Sequence, residues 1–208
     1  GPDQNVTANT LFALGSNTKS MSAVAFANLV QEGVLSWDDK VIQHLPDLKL
    51  SDPDLLKELT IRDLLGMRAG FILDNLYHAG FIGQKSLDQL VTLMPHMPVF
   101  KEKFRKEWFY TNQPFVIASA LLEKVTGKNY SAAMTDLVFK PLSLTATYAD
   151  YDSAMAHPEK ISTNVSINWG KQCQFDGYAN VDGYAAAGSA FGTLNDFTRY
   201  LKFHMGRG

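Results

Sequence analysis

Apolar residues recur with helical spacing along most of this chain, and the longest such stretch lies near the amino terminus. Residues 16–32 are apolar on nearly every side of a helix, through Ala23, Val24, Ala25, Phe26, Ala27, Leu29 and Val30. Gly33 follows, in the position where a left-handed residue commonly ends a helix. Because a helix that is hydrophobic all round belongs in the interior of a protein, the pattern predicts a central, buried helix.

Caps and helix-ending residues predict further helices over 37–45, 60–66, 86–94, 112–127, 131–139 and 193–205. In the last of these, four side chains are predicted to face one way: Phe197, Tyr200, Leu201 and Met205. Residues 160–184 alternate only weakly and contain glycines, which predicts a loop with one or two short strands. The chain is therefore predicted to be mainly α, with little or no complete sheet.

The composition is consistent with one domain and limits the kinds of partner that are expected for it. The 208 residues are 46% hydrophobic and 19% charged, which is enough for a core. Net charge is −2, and the densest basic stretch, residues 101–106, is expected to be a solvated surface, so no nucleic-acid partner is predicted. The sequence contains no run of 18 apolar residues, so no membrane span is predicted. The histidines lack ligand spacing and Cys173 is the single cysteine, so neither a metal nor a cofactor is predicted.

The two ends of the chain are predicted to differ in order. Gly1 and Pro2 resemble the scar that a protease leaves at an expression tag. Residues 1–10 are polar and are predicted to form a flexible tail, whereas residues 11–208 are predicted to form a single domain. No targeting segment is visible. The compartment stays open, with an extracellular or periplasmic location slightly favoured.

The start of the apolar helix carries the most informative chemistry. Ser16 and Lys19 stand three residues apart, and positions i and i+3 share a helix face, so their side chains can meet in one pocket. A serine becomes a nucleophile when a neighbouring base takes its proton, and an uncharged lysine can be that base. The spacing indicates an acyl-transfer centre. The simpler alternative is that Ser16 only caps the helix and that Lys19 is solvated in its first turn.

A second candidate pair directly precedes a later helix. Tyr110 and Asn112 can aim both side chains into one cleft. The phenol could relay a proton to or from a leaving group, and the amide could bind a substrate carbonyl and hold the lysine. The alternative is a half-buried tyrosine beside an asparagine that caps the helix.

Together, the Gly-Ser-x-x-Lys-Ser helix start and the later Tyr-x-Asn resemble the serine β-lactamase and penicillin-binding-protein superfamily. More narrowly, they resemble its class C β-lactamase, esterase and D-aminopeptidase branch. Three further segments are similar to stretches of that family: residues 60–65 with Gly70 and Phe71, residues 122–128 with Pro141, Leu142 and Thr145, and residues 187–193 with Asp196. The resemblance runs from about residue 11 to residue 205.

The resemblance implies a role for each of four residues. Ser16 would attack the carbonyl of an amide or ester and form an acyl-enzyme, and Lys19 would help to deprotonate it. Tyr110 would shuttle protons to the leaving group and then activate the deacylating nucleophile, while Asn112 would orient the substrate and Lys19. The backbone N–H of Ser16 would supply half of the oxyanion hole. The implied partner is a small-molecule or peptide acyl substrate: a β-lactam, a D-amino-acid peptide, an ester or a thioester.

The chain also departs from the family. The strand with Lys-Thr-Gly or His-x-Gly, expected well downstream of residues 187–196, and the elements that precede the serine are both missing. The resemblance therefore implies the helical region of an α/β β-lactamase-like fold, with weak turnover, because half an oxyanion hole is worth on the order of 3 kcal/mol. The alternative is a non-catalytic helical interaction module derived from that family. Loss of the sheet would expose the central helix, and such apolar surface favours self-association.

Overall fold

The computed structural model of the chain describes residues 5–72, 86–158, 164–168, 172–176 and 180–206, with 164–168 and 172–176 described by their backbone. The helices in these ranges are α1 (Asn17–Gln31), α2 (Val41–His44), α3 (Pro53–Glu58), α4 (Ile61–Leu65), α5 (Leu87–Leu93), α6 (Gln113–Thr126), α7 (Tyr130–Met134), α8 (Tyr151–Met155), α9 (Ala185–Gly188) and α10 (Leu194–Met205). The strands are β1 (Leu11–Ala13), β2 (Thr147–Tyr148), β3 (Asn164–Asn168), β4 (Gln172–Asp176) and β5 (Phe191–Thr193). The prediction of a mainly helical chain is confirmed.

Helix α1 is the buried helix that the apolar pattern predicts. Gly15 precedes it with φ +51° and Gly33 follows it with φ +73°, so both turns use the left-handed backbone that glycine adopts without strain. The apolar side chains that α1 buries are Met21, Ala25, Phe26 and Leu29. Of its remaining apolar residues, Ala23, Val24 and Val30 are partly buried and Ala27 is exposed, so much of the surface that was expected to be exposed is covered.

The helix predicted over residues 37–45 is shorter in the structure, where α2 begins at Val41. The backbone of Lys40 is extended and forms an isolated antiparallel bridge with Thr60. Ser36 donates its backbone N–H to the Asp39 carboxylate at 2.9 Å, which favours a turn in place of the first helical turn. The prediction was wrong there because a local turn and a distant strand-like contact compete with helix.

Helix α6 lies in the core and packs against α4, α5, α7 and α9. Asn112 and Pro114 mark its start as predicted, and Gly127 ends it with φ +66°. Next, α7 starts one residue before its predicted position and continues as a π-helical turn over Thr135–Phe139. The largest fully buried side chains of the core come from these helices and their neighbours: Phe26, Phe115, Phe139, Leu11, Met21, Leu55, Leu59, Ile61, Leu64, Leu90 and Met94.

A three-stranded antiparallel sheet of order β1-β5-β2 lies at the amino-terminal end of α1. Phe12 pairs with Gly192, which pairs with Thr147 on the other side. Strand β1 of this short sheet continues directly into the turn at Gly15, and its pairing therefore fixes where α1 begins. A separate antiparallel hairpin, β3 with β4, occupies part of the region predicted to hold one or two short strands.

Residues 7–10, which belong to the predicted tail, are attached to the fold. Thr7 donates its N–H to the Thr10 hydroxyl at 2.9 Å, and Asn195 donates its N–H to the Ala8 carbonyl at 3.2 Å. Thr10 is itself buried. Attachment of the chain to the folded domain therefore begins before residue 11.

Helix α10 starts at the predicted cap, where the Thr193 side chain accepts the N–H of Asp196. Its predicted single apolar face was wrong in part: Tyr200 is buried and Phe197 packs on the core, whereas Leu201 and Met205 are exposed. Tyr200 also donates its hydroxyl to Ser20 at 2.8 Å, which joins α10 to α1. In the described part of the chain, no helix is long and apolar enough to cross a membrane.

Candidate active site

Ser16 stands at the junction between the small sheet and α1. Its backbone is helical, and its side chain makes no hydrogen bond that caps the helix. The side chain lies instead beside Lys19 and Tyr110, with Oγ 3.0 Å from Lys19 Nζ and 2.5 Å from the Tyr110 hydroxyl. The alternative of a helix-capping serine therefore does not hold, and the hydroxyl is available for chemistry.

Lys19 lies one turn further along α1 and is only 5% exposed. Its Nζ has oxygen neighbours on three different parts of the fold: Ser16 Oγ at 3.0 Å, Tyr110 Oη at 3.1 Å, Asn112 Oδ1 at 2.7 Å and the Ala187 carbonyl at 2.8 Å. The rings of Tyr110 and Phe115 lie 4.9 and 5.4 Å from Nζ. The alternative of a solvated lysine in the first turn does not hold either.

The chemistry of these four oxygens divides them into two pairs. Asn112 Oδ1 and the Ala187 carbonyl can only accept, so each takes one N–H from Lys19. The hydroxyls of Ser16 and Tyr110 can either accept or donate. An uncharged lysine has two N–H groups and one lone pair, and the two accepting oxygens use both N–H groups. In that state the lone pair would be left for the hydroxyls of Ser16 and Tyr110, whereas a charged lysine could donate to a hydroxyl as well.

Tyr110 and Asn112 arrive from the segment that precedes α6. Tyr110 is 49% exposed, and its hydroxyl donates to Ser16. Asn112 occupies the cap position of α6 but makes no capping hydrogen bond with its side chain, which instead accepts from Lys19. The structure thus brings together all four residues that the sequence singled out, and it excludes a helix-capping role for Asn112.

Arg105 anchors the segment that carries Tyr110. Its guanidinium donates to both carboxylate oxygens of Asp63 at 2.8–3.1 Å and to the Glu58 carbonyl at 2.8 Å. Burial alone would raise the pKa of Asp63, but the hydrogen bonds from Arg105 and Thr60 outweigh it and hold that pKa below its ordinary value. Arg105 was expected in a solvated basic stretch; only its partner, which is 42 residues away, shows its role.

A cavity of about 210 Å³ opens beside the Ser16 hydroxyl. It is lined by Gly15, Ser16, Asn112, Val181, Tyr184, Ala187 and Gly188. Its far wall is α9 with the turn before it, and the Ala187 carbonyl on this wall holds Lys19. Sequence reasoning missed this contact because a backbone carbonyl leaves no trace in the residue type. Among the described residues, no group of three or more His, Cys, Asp or Glu side chains is placed to hold a metal ion.

Comparison with known proteins identifies the family to which this chain belongs. The family model described as Beta-lactamase matches residues 1–208, and the chain belongs to that family. It is 28% identical over 211 residues to the unguisins hydrolase ungD' of Aspergillus campestris, an alignment that covers 96% of this chain and 39% of that protein. It is 28% identical to a D-stereospecific amidohydrolase from Streptomyces sp., with a TM-score of 0.77 and coverage of 94% and 61% of the two chains.

A class C beta lactamase from Rhodobacter sphaeroides shares the fold, with 23% identity and a TM-score of 0.72 over 100% of this chain and 55% of that one. The chain therefore spans between 39% and 61% of the length of these three relatives. What it contains is the helical part of a β-lactamase-like fold, which confirms the predicted fold class and the predicted resemblance.

The third motif of the family is Lys-Thr-Gly or His-x-Gly on a strand. Near the end of the described residues, one triplet has the sequence of this motif. His204, Met205 and Gly206 have the order His-x-Gly, but His204 and Met205 form the last turn of α10 and do not lie on a strand. A second match, His78-Ala79-Gly80, lies outside the described residues. Neither triplet therefore lies on a described strand beside Ser16.

Proposed function

We propose that this chain carries the nucleophilic half of a serine hydrolase or transacylase, in which Ser16 forms an acyl-enzyme with an amide or ester. The observation that carries the proposal is the contact of one hydroxyl with two proton-transfer groups. Ser16 Oγ lies 3.0 Å from Lys19 Nζ and 2.5 Å from the Tyr110 hydroxyl. Nucleophile and base within hydrogen-bond reach, with the base oriented by further groups, are typical of covalent acyl transfer.

Lys19 is proposed to take the proton of Ser16 as the new bond from Oγ to the substrate carbonyl carbon forms. The contacts to Asn112 and Ala187 occupy two N–H groups of the lysine and leave its lone pair facing the hydroxyls. Lys19 is 5% exposed, and its position between the nucleophile and these two acceptors supports a basic role.

Tyr110 is proposed to pass a proton to the leaving group as the carbonyl carbon releases it. Its hydroxyl touches both Ser16 and Lys19, so a proton can move from serine to leaving group through atoms already in contact. In the second half of the reaction the same hydroxyl would take a proton from the attacking water or acyl acceptor and pass its own proton to Ser16 Oγ. The bond from Oγ to the acyl carbon breaks in this step, which releases the product and restores Ser16.

The backbone N–H of Ser16 is proposed as one donor of the oxyanion hole. It lies at the start of α1, where the helix dipole favours negative charge, and it makes no hydrogen bond within the described part of the chain. The described residues place no strand with a second donor beside it. We therefore propose weak turnover for the 208-residue chain, since one missing donor is worth on the order of 3 kcal/mol.

The proposed substrate is a small-molecule or peptide acyl compound that reaches Ser16 through the 210 Å³ cavity. The names of two relatives, an unguisins hydrolase and a D-stereospecific amidohydrolase, support amide substrates within that class. The mostly apolar cavity wall, with Val181 and Tyr184, supports an acyl group with an apolar side chain.

Two measurements on the purified chain test this proposal. A fluorophosphonate should label one residue, identified as Ser16 by mass spectrometry, and Ser16→Ala should abolish the label. Hydrolysis of a nitrophenyl ester should be slow; a fast, steady rate that Ser16→Ala abolishes would contradict the proposed weak turnover. A chain that stays unlabelled while it binds a partner protein would instead support the non-catalytic module.

A further inference from the structure

The cavity wall that holds Lys19 is itself fixed by two buried serines from different helices. We propose that Ser22 of α1 and Ser119 of α6 are positioning residues for acyl transfer. They hold α9 where the Ala187 carbonyl meets Lys19. This inference rests on the proposed function, because it assigns these serines a task in the same reaction.

Ser22 holds the carbonyl side of α9. Its fully buried hydroxyl lies 3.0 Å from the Ala186 carbonyl and 2.9 Å from the Thr18 carbonyl, to which it can donate. The Tyr130 hydroxyl lies 2.7 Å from the same oxygen and can donate to it. Because a serine hydroxyl has one proton and two lone pairs, Tyr130 as the donor leaves that proton to be shared between the Thr18 and Ala186 carbonyls.

Ser119 holds the opposite side of the same residue. Its hydroxyl, also fully buried, accepts the Ala186 N–H at 2.9 Å and donates to the Phe115 carbonyl at 3.0 Å. Both backbone groups of Ala186 are therefore bonded to side chains from outside α9. A four-residue helix such as α9 cannot fix its own place by internal hydrogen bonds, so contacts from other elements hold it, and the two at Ala186 lie next to the Ala187 carbonyl.

The next peptide carbonyl in the chain is the one that Lys19 touches. Ala187 follows Ala186 directly, and its carbonyl lies 2.8 Å from Nζ. A shift of α9 by a fraction of an ångström would lengthen that bond and free an N–H of Lys19. The lysine could then rotate its lone pair away from Ser16. The two serines thus act on the nucleophile through Lys19 and touch no reacting atom.

A matched control lies at the end of the same helix. Ser189 is equally buried, and its hydroxyl contacts the carbonyls of Ala149 and Ala185. It makes no described contact with Ala186 or Lys19. Ser22→Ala, Ser119→Ala and Ser189→Ala therefore remove the same group from similar surroundings, and the first two alone touch the proposed positioning contact.

The experiment measures fluorophosphonate labelling of Ser16 at several reagent concentrations, which separates the maximal rate from the half-saturating concentration. Ser22→Ala and Ser119→Ala should lower the maximal rate roughly ten- to a hundredfold, as expected for a small displacement of a catalytic group, with half-saturation unchanged. Ser189→Ala should react at the wild-type rate. Urea unfolding of all three variants checks that they fold.

A second measurement does not require Ser16 to react with a reagent. The ¹³C resonance of Lys19 Cε, observed by NMR, should shift in Ser22→Ala and Ser119→Ala and stay in place in Ser189→Ala. Unchanged rates and resonances in the first two variants, or equal changes in the Ser189 control, would overturn the inference. A wild-type chain that leaves Ser16 unlabelled contradicts the proposed function instead, and the NMR comparison still decides whether these serines position Lys19.

Discussion

The hydroxyl of Tyr110 lies 2.5 Å from that of Ser16, although 94 residues separate them in the sequence. The contact joins the start of α1 to the segment before α6, and Lys19 touches both hydroxyls from below the surface.

Removing the Tyr110 hydroxyl should impair proton transfer and leave the fold intact. For Tyr110→Phe we expect Ser16 labelling to slow by roughly 10²–10⁴-fold, the usual contribution of a general acid–base group. Half of the Tyr110 surface is solvent exposed, so little packing is lost. Stopped-flow labelling gives the rate, and circular dichroism checks the fold. Tyr148→Phe, a change of the same type away from the cavity, is the control. An unchanged rate in Tyr110→Phe would remove the phenol from the mechanism.

Asp63 should contribute far more to stability than Asp38, although both carboxylates pair with an arginine through two nitrogen atoms. Asp63 is 7% exposed and also accepts from Thr60, so Asp63→Ala leaves buried donors unsatisfied and should cost about 1–3 kcal/mol. Asp38 has a side chain that is 70% exposed, and Asp38→Ala should leave the free energy of unfolding almost unchanged. Urea unfolding measures both, and equal losses would contradict the argument.

The same carboxylate predicts a direction of pH dependence. Burial opposes ionisation of Asp63, but bonds from Arg105 and Thr60 prevail and lower its folded-state pKa below 3.8. Its contribution to stability is therefore complete above the unfolded-state pKa and is lost as pH falls through the lower folded-state value. The difference in unfolding free energy between wild type and Asp63→Asn should shrink below about pH 4. A constant difference from pH 7 to pH 2.5 would be evidence against this linkage.

Asp196 should hold the small sheet to α10. The carboxylate is almost fully buried and accepts from the Ala146 N–H at 2.6 Å and the Thr147 hydroxyl at 3.0 Å. Asp196→Ala leaves both donors without an acceptor and should lower the free energy of unfolding by about 1–3 kcal/mol. Asp136, which pairs with two lysines at the surface, is the control, since screening makes such pairs weak. Similar losses in both variants would refute the distinction.

Self-association is proposed to involve α10. Leu194, Leu201 and Met205 are exposed on it, beside a groove of about 310 Å³ lined in part by Phe12 and Leu14. Light scattering should give a mass above the 23.1 kDa of one chain that rises with protein concentration. The double change Leu201→Lys and Met205→Lys should restore the monomer mass, whereas Val34→Lys, at another exposed site, should not. A monomer mass at every concentration would exclude this proposal.

Local sequence predicted the elements whose residues lie close together in the chain. The spacing of Ser16 and Lys19 places them on one helix face, and glycines at 33 and 127 end α1 and α6 as expected. The link from these residues to Tyr110 came from family resemblance, because no periodicity connects segments so far apart. Arg105 was missed for the same reason: only the fold reveals that Asp63 is its partner.

Other errors arose where tertiary contacts override local preference. Trp37, Val41 and Leu45 recur with helical spacing, but Lys40 pairs with Thr60 and delays the start of α2. In α10 the neighbouring elements cover Tyr200 and leave Leu201 and Met205 exposed, so helical spacing alone did not show which apolar residues are buried. The Ala187 contact with Lys19 belongs to the main chain, and residue identity carries no information about it.

The oxygen that Ala187 presents to Lys19 belongs to the main chain, and this has a practical consequence. An alanine scan, or any other side-chain replacement at position 187, leaves the oxygen beside the lysine in place and would overlook one of its neighbours. Chemical synthesis offers another route: an ester linkage in place of the peptide between Ala187 and Gly188 makes that oxygen a poorer acceptor while the side chains stay as they are. The basicity of the lysine could then be adjusted without changing any amino-acid side chain.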